Sequence, residues 1–339
     1  MGFSAIRGHV SSVQMLKNIL SSGRVPHAML FSGIEGIGKK KAAFSFAKAI
    51  NCQEREEDFC DVCLSCRKIN RMIHPDVFLF DPDEEPADKK KKEYQIDRLR
   101  RLQQEIVYSP FEGKKKVVII DDAEKLTNNS ANCFLKTLEE PDADTVIILV
   151  TQSDASMLPT VVSRCQRIVF MPLADTEMRA LLADRKISER ILDREAVGRE
   201  EIDRVIPYAQ GSLKRAAFLL TSDFLSKRME VCGCLARLSK GDSEAVFELA
   251  KMIHTDNSRW LLFEFLQTWY RDILFIKEGI GESSRIYNRD LLEQIVTAAE
   301  NESLPAVISK IKKLQFFNDH PASTLNIELG MQNLFTQEI

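Results

Sequence analysis

The stretch Gly33-Ile34-Glu35-Gly36-Ile37-Gly38-Lys39-Lys40 decides how the rest of this chain is read, because it is a phosphate-binding loop with one part altered. The pattern G-x-x-x-x-G-K-[ST] is met at seven of its eight positions. Residues 27–32 before it read as a buried strand, and a helix is expected from near Gly38 to about Asn51. That strand–loop–helix context is what such a loop requires. Gly33, Gly36 and Gly38 let backbone N–H groups turn inward around phosphate oxygens; the helix N-terminus adds positive potential and Lys39 a point charge. The eighth position should carry a hydroxyl that holds Mg²⁺. Lys40 stands there instead, a cation that cannot ligate one. The loop reads as a degenerate ATP or ADP site, built for binding and spoiled for hydrolysis, with its magnesium in question.

At 339 residues the chain has room for two or three domains. Its net charge of −3 argues against a whole-surface nucleic-acid binder, although Lys114-Lys115-Lys116 is a local basic patch. The start, Met1-Gly2-Phe3-Ser4-Ala5-Ile6, lacks the features of a signal peptide. No apolar run approaches the ~18 residues of a membrane span. A cytoplasmic location without membrane partners is therefore expected, and structural disulfides are not.

Upstream of the loop, Val10, Val13, Leu16, Ile19 and Leu20 form a helical stripe ended by Gly23. Downstream, Cys52, Cys60, Cys63 and Cys66 put four of the eight cysteines within fifteen residues, spaced C-x7-C-x2-C-x2-C. Four thiolates so spaced can close a tetrahedral zinc shell, a structural site with no open position. Free or redox-active thiols are the competing reading. His74, followed by Pro75, reads as a turn residue rather than a ligand, and the charged run 81–93 as a solvated loop. Ile96, Leu99, Leu102 and Ile106 stripe a helix expected over residues 94–108.

The second strong signal is Val117-Val118-Ile119-Ile120-Asp121-Asp122, a buried parallel strand whose terminal carboxylate, Asp121, faces the ligand crevice beside Mg²⁺. Asp122 stands where many ATPases carry a water-activating Glu, one methylene longer. A helix through Ala131, Leu135 and Leu138 follows, then a strand at 145–150 ending in polar Thr151-Gln152-Ser153. A short strand is expected at 168–170, after which the strand signal stops. Leu262, Phe265, Trp269 and Ile273 stripe one later helix; Val307, Ile311, Leu314 and Phe317 stripe another, both as core. Strand–helix alternation gives a parallel α/β domain of about 170 residues, with helices behind it.

Pro26-His27-Ala28, the four cysteines, His74-Pro75-Asp76, residues 116–125, Leu158-Pro159 and Ser163-Arg164-Cys165 together resemble the AAA+ subunits of the bacterial replicative clamp loader. The resemblance implies an AAA+ P-loop domain over 1–171 with a zinc module at about 52–66, a helical lid at 172–220 and a helical collar at 221–339. It implies work within DNA polymerase III, in a hetero-pentamer with gamma/tau and delta subunits that loads a sliding clamp onto primer–template DNA. Arg164 would be an arginine finger acting in trans on a neighbour's ATP. Such a finger is worth ~10³–10⁵ in rate in GTPases. Lys39-Lys40 and Asp121-Asp122, where the gamma/tau ATPases keep Lys-Thr and Asp-Glu, point to a stator subunit without hydrolysis of its own. The gamma/tau-type motor, or another self-contained ATPase, is the alternative. Thr151 and Gln152 read as remnants of that family's first sensor; Lys214 aligns with a nucleotide-sensing arginine of the active subunits, its neighbour Arg215 matches the stator forms better, and neither is assigned a sensing role.

Overall fold

The computed structural model describes residues 2–82, 91–139, 144–192, 197–255, 259–280, 286–319 and 327–335. The chain divides into two compact units, Met1–Met178 with Gln210–Lys214, and Arg179–Ala209 with Arg215–Ile339.

In the first unit five strands, β1 (Ala28–Ser32), β2 (Val77–Phe80), β3 (Lys116–Ile120), β4 (Thr145–Thr151) and β5 (Gln166–Val169), form one sheet in the order β2-β3-β4-β1-β5. Every neighbouring pair is parallel. Successive side chains on these strands feed two different cores. Met29, Phe31, Val117, Ile119, Val146 and Ile148 face α1 (Val10–Ser21) and α2 (Lys39–Asn51). Leu30, Val118, Ile120, Ile147 and Leu149 face α4 (Lys91–Ile106), α5 (Asn128–Glu139) and α6 (Pro159–Val162), while α3 (Leu64–Asn70) lies in the cysteine module. Burial on both sides is why β1, β3 and β4 lack polar alternation.

The order also follows from handedness. From β1 the chain crosses to the far edge through α2, then steps back through β3 and β4 and over β1 to β5, with the helices on the opposite face. Right-handed crossovers demand that change of face when the direction of travel reverses. The reversal leaves a crevice at the carboxyl ends of β1 and β4, where α/β sheets bind ligands.

Two boundaries differ from the sequence reading. The last strand starts two residues before the expected 168, because β1 recruits Gln166 and Arg167 by backbone pairing although both are exposed. Of the charged run 81–93, residues 83–90 lie outside the described residues, and Lys91 already opens α4, three residues ahead of expectation.

Among the described residues every regular element of the second unit is a helix. The unit contains α8 (Arg185–Leu192), α9 (Arg199–Ala209), α11 (Phe224–Leu238), α12 (Glu244–Thr255), α13 (Arg259–Lys277), α14 (Leu292–Asn301), α15 (Leu304–Asp319) and α16 (Ile327–Phe335). Helices α7 (Asp175–Leu182) and α10 (Leu213–Thr221) each contribute residues to both units. The stripe Leu262, Phe265, Trp269 and Ile273 is buried on α13, and Val307 and Leu314 on α15. Arg228, 1% exposed, is clamped by both oxygens of Asp290 at 2.7 and 2.6 Å and donates to Asn288 Oδ1 at 3.0 Å. Among the described residues no helix is long and apolar enough to cross a membrane.

Candidate functional site

The phosphate-binding loop leaves β1 at Ser32 and enters α2 at Lys39, as its sequence demands. Its glycines are needed for two different reasons. A Cβ at Gly33 would collide with the Phe170 carbonyl oxygen, and one at Gly36 with Ser212 and Lys214. Gly38 has φ +104° with nothing within 4 Å of a Cβ, so the left-handed backbone alone requires glycine there, and the space beside it is open. His9 Nε2 lies 2.8 Å from the Ile37 carbonyl, the Leu213 amide donates to the Gly36 carbonyl at 3.1 Å, and Lys214 pairs with Glu35. The loop is thus anchored on its outer side.

Lys39 is buried and donates to the Gly33 and Ile34 carbonyls at 2.5 and 2.7 Å. Burial pulls its pKa below the usual lysine value, against the opposing pull of Glu124, Asp121 and Asp122. Lys40 points to the second motif: its Nζ lies 2.9 Å from Asp121 Oδ2. An ammonium therefore sits on the carboxylate that the sequence reading placed beside Mg²⁺. Asp122, in the left-handed region at φ +43°, accepts from Lys125 at 2.8 Å. Glu124 Oε1 accepts the Gln152 amide at 3.2 Å while its Oε2 is buried without a partner. Thr151 is buried and donates to the Ser153 carbonyl at 3.1 Å, a local turn bond.

The four cysteines come together. The Sγ atoms of Cys52, Cys60, Cys63 and Cys66 lie within 4.8 Å of one another, all buried. Tetrahedral zinc with Zn–S bonds of ~2.3 Å needs sulfurs about 3.8 Å apart, so the set is close to a closed shell. The Cys63 amide donates to Cys60 Sγ at 3.2 Å and the Cys66 amide to Cys63 Sγ at 3.4 Å, bonds that favour thiolates. Burial raises the Cys60 thiol, but the Cys63 and Val62 amides and the neighbouring sulfurs outweigh it and bring it down to about 7. Burial pushes Cys66 up. The cluster fits a zinc ion, which would cross-link four thiolates there. Lys48 on α2 secures the module by donating to Asp61 at 2.6 Å over the Phe59 ring.

Arg164 follows α6 on the surface, its side chain 35% exposed. It donates to the Thr160 carbonyl at 2.8 Å and to Glu139 Oε1 at 2.5 Å. Arg164 is not brought to the loop's own Lys40–Asp121 pair.

Sequence reasoning missed Asp76 and Glu139. Asp76 is fully buried, and its carboxylate accepts the amides of Phe111, Glu112 and Gly113 at 2.7, 2.9 and 2.7 Å. His74, taken for a simple turn residue, is buried too; its Nδ1 accepts the Asp76 amide at 3.1 Å and its Nε2 lies 3.1 Å from Ser65 Oγ on α3. The His-Pro-Asp run thus joins the cysteine module to the loop before β3. The signal was in the sequence, where a carboxylate stands two residues after a histidine at a strand entrance, but its partners lie 35–37 residues away.

A parallel five-stranded sheet with a phosphate-binding loop at its switch point, a four-cysteine module and a helical C-terminal region define an AAA+ protein. The chain belongs to the DNA polymerase III delta-subunit family. The family described as "DNA polymerase III, delta subunit" matches residues 8–174, and "DNA polymerase III, delta subunit, C terminal" matches residues 222–338. The chain is 28% identical over 334 residues to DNA polymerase III subunit delta' of Bacillus subtilis, covering 95% of this chain and 93% of that one. It is 27% identical over 347 residues to subunit tau of the same bacterium, covering 94% of this chain and 59% of tau. A solved gamma subunit-related protein of Thermotoga maritima aligns with TM-score 0.40 at 18% identity, covering 95% and 97%. The curated relatives named above are delta' and tau subunits, as the resemblance to clamp loaders led us to expect.

Proposed function

We propose that this chain is the stator-type subunit of a clamp loader, giving Arg164 in trans to a neighbour's ATP site and hydrolysing none itself. The observation that carries the reading is the Lys40–Asp121 ion pair at 2.9 Å, which places an ammonium where a hydrolytic site needs a magnesium ion. Hydrolysis through a P-loop depends on that metal to neutralise charge between the outer phosphates. Arg164, by contrast, stands on the surface, held by an exposed carboxylate, a carbonyl and the Ser163 hydroxyl. A guanidinium so placed can leave a weak surface pair for the charge developing on a neighbour's γ-phosphate.

In this reading residues 172–220 act as the lid and 221–339 as the collar that joins gamma/tau and delta subunits into a hetero-pentamer. The assembly opens a sliding clamp and closes it on primer–template DNA in the cytoplasm, at the replisome. The four cysteines hold a structural zinc.

The test is reconstitution with gamma/tau and delta partners. The isolated chain should show no DNA-stimulated ATP turnover. Arg164→Ala should depress ATPase of the assembled complex while leaving assembly intact. Unchanged activity in that complex, or turnover by the isolated chain that Lys39→Ala abolishes, would sink the reading and favour a self-contained ATPase.

A further inference from the structure

The loop's glycine geometry and its Lys40 make opposite statements about ligands, and the geometry lets both be true. The phosphate side is intact. Gly38 holds its left-handed turn with open space beside it, and α2 begins at the next residue, so the positive end of its dipole lies at the loop. The metal side is replaced. Lys40 Nζ lies 2.9 Å from Asp121 Oδ2, on the carboxylate that the sequence reading sets beside Mg²⁺, and position 40 offers no hydroxyl. An ammonium has three N–H donors. Asp121 takes one, leaving two for phosphate oxygens, and the Lys40 side chain is 38% exposed, so a ligand can reach it.

The surrounding charges sort the same way. Glu35 is paired with Lys214, Asp122 with Lys125 and Asp121 with Lys40. Glu124, Asp121 and Asp122 bear on Lys39, which caps the Gly33 and Ile34 carbonyls. Lys40 is left as the cation standing where the metal would stand.

We infer that this cradle binds a nucleoside di- or triphosphate without a divalent cation, the Lys40 ammonium taking the place of Mg²⁺. The inference rests on reading residues 33–40 as a nucleotide cradle and adds the cation that serves it. It explains how Gly38 and Lys39 coexist with a ruined metal site: a nucleotide so bound is a structural ligand. Without a metal to draw charge from the γ-phosphate it stays unhydrolysed.

The experiment measures ATP and ADP affinity of the full-length chain, stripped of nucleotide, by calorimetry with excess magnesium and again with EDTA. The wild-type dissociation constant should agree within about threefold between the two conditions, a difference well under the 1.4 kcal/mol of a tenfold change. Lys40→Thr should restore metal dependence, binding about tenfold or more weakly in EDTA than in magnesium, as loss of a charge-assisted phosphate contact implies. Lys40→Gln, which keeps a polar side chain one atom shorter and removes the charge, should bind weakly in both. Circular dichroism matching wild type establishes that each variant is folded. A wild-type affinity that collapses in EDTA, a Lys40→Thr chain that binds as well as wild type in EDTA, or no binding of either nucleotide by wild type would each overturn the inference. The Arg164 reading stands or falls separately, on the ATPase of the reconstituted complex.

Discussion

Replacing Asp76 by Asn tests how the sheet and the cysteine module are joined. The side chain is fully buried, and its two oxygens share three backbone donors: Phe111 on Oδ1, Glu112 and Gly113 on Oδ2. An asparagine of the same shape keeps one oxygen. Its best arrangement retains the pair at Oδ2 and turns an NH₂ group toward the Phe111 amide, donor against donor. The loss is one charge-assisted bond of about 1.5–3 kcal/mol, plus the weakening of two others from charged to neutral strength by roughly 1 kcal/mol each. A destabilisation of about 3.5–5 kcal/mol follows, because loop 111–113 has lost its anchor. The direct assay is amide hydrogen exchange at residues 111–113, which should accelerate by about three orders of magnitude, since 1.4 kcal/mol is a factor of ten. Its pH dependence has a definite sign. Burial raises the Asp76 pKa, but the three amides outweigh it and hold the carboxyl below its usual 3.8. A depressed carboxylate contributes stability that is fully present above the unfolded value and lost as pH falls through the folded one. The gap between wild type and Asp76→Asn should therefore be flat from neutral pH to about 5 and close only below the unfolded value. Exchange at 111–113 within threefold of wild type, or a gap that changes between pH 7 and pH 5, would refute the reasoning.

Other outcomes follow from the same geometry. Purified chain should carry one zinc per molecule by metal analysis, and Cys60→Ser with Cys63→Ser should carry none and lose exchange protection over 52–66, since half the thiol set is gone. Asp290→Ala should lower the stability of the helical unit by about 3–5 kcal/mol by stranding the buried Arg228 guanidinium, while Arg228→Met with Asp290→Leu should recover most of it in urea melts. A double variant as unstable as the single one would show that packing, not charge, is at stake. Glu139→Gln removes the exposed partner of Arg164 and should change stability by no more than about 1 kcal/mol. It is thus the control that separates loss of the Arg164 charge from loss of a surface contact.

What could be read in the sequence was whatever is local. Cys60, Cys63 and Cys66 are spaced closely enough that one knuckle gathers them, and the run 117–120 is apolar throughout because both faces of β3 are covered. The limits of β5 were not legible, because Gln166 and Arg167 become strand only through pairing with β1, which their exposed side chains do not announce. Asp76 and Glu139 escaped for the same reason, since their partners stand 35–37 and 25 residues away. The glycines of the loop show how tertiary structure changes the weight of a motif that was legible. Gly33 and Gly36 are required by the Phe170 carbonyl and by the Ser212–Lys214 segment, so the folded chain needs them whether or not a phosphate ever arrives. Their presence supports the fold and says little about ligand. Gly38 is different: no neighbour excludes a side chain there, and only the turn that opens α2 toward the crevice demands glycine. Seven matching positions therefore count for less than they seemed to as evidence of a nucleotide. The weight passes to Gly38 and to the two lysines after it, of which one closes the loop on itself and the other meets Asp121.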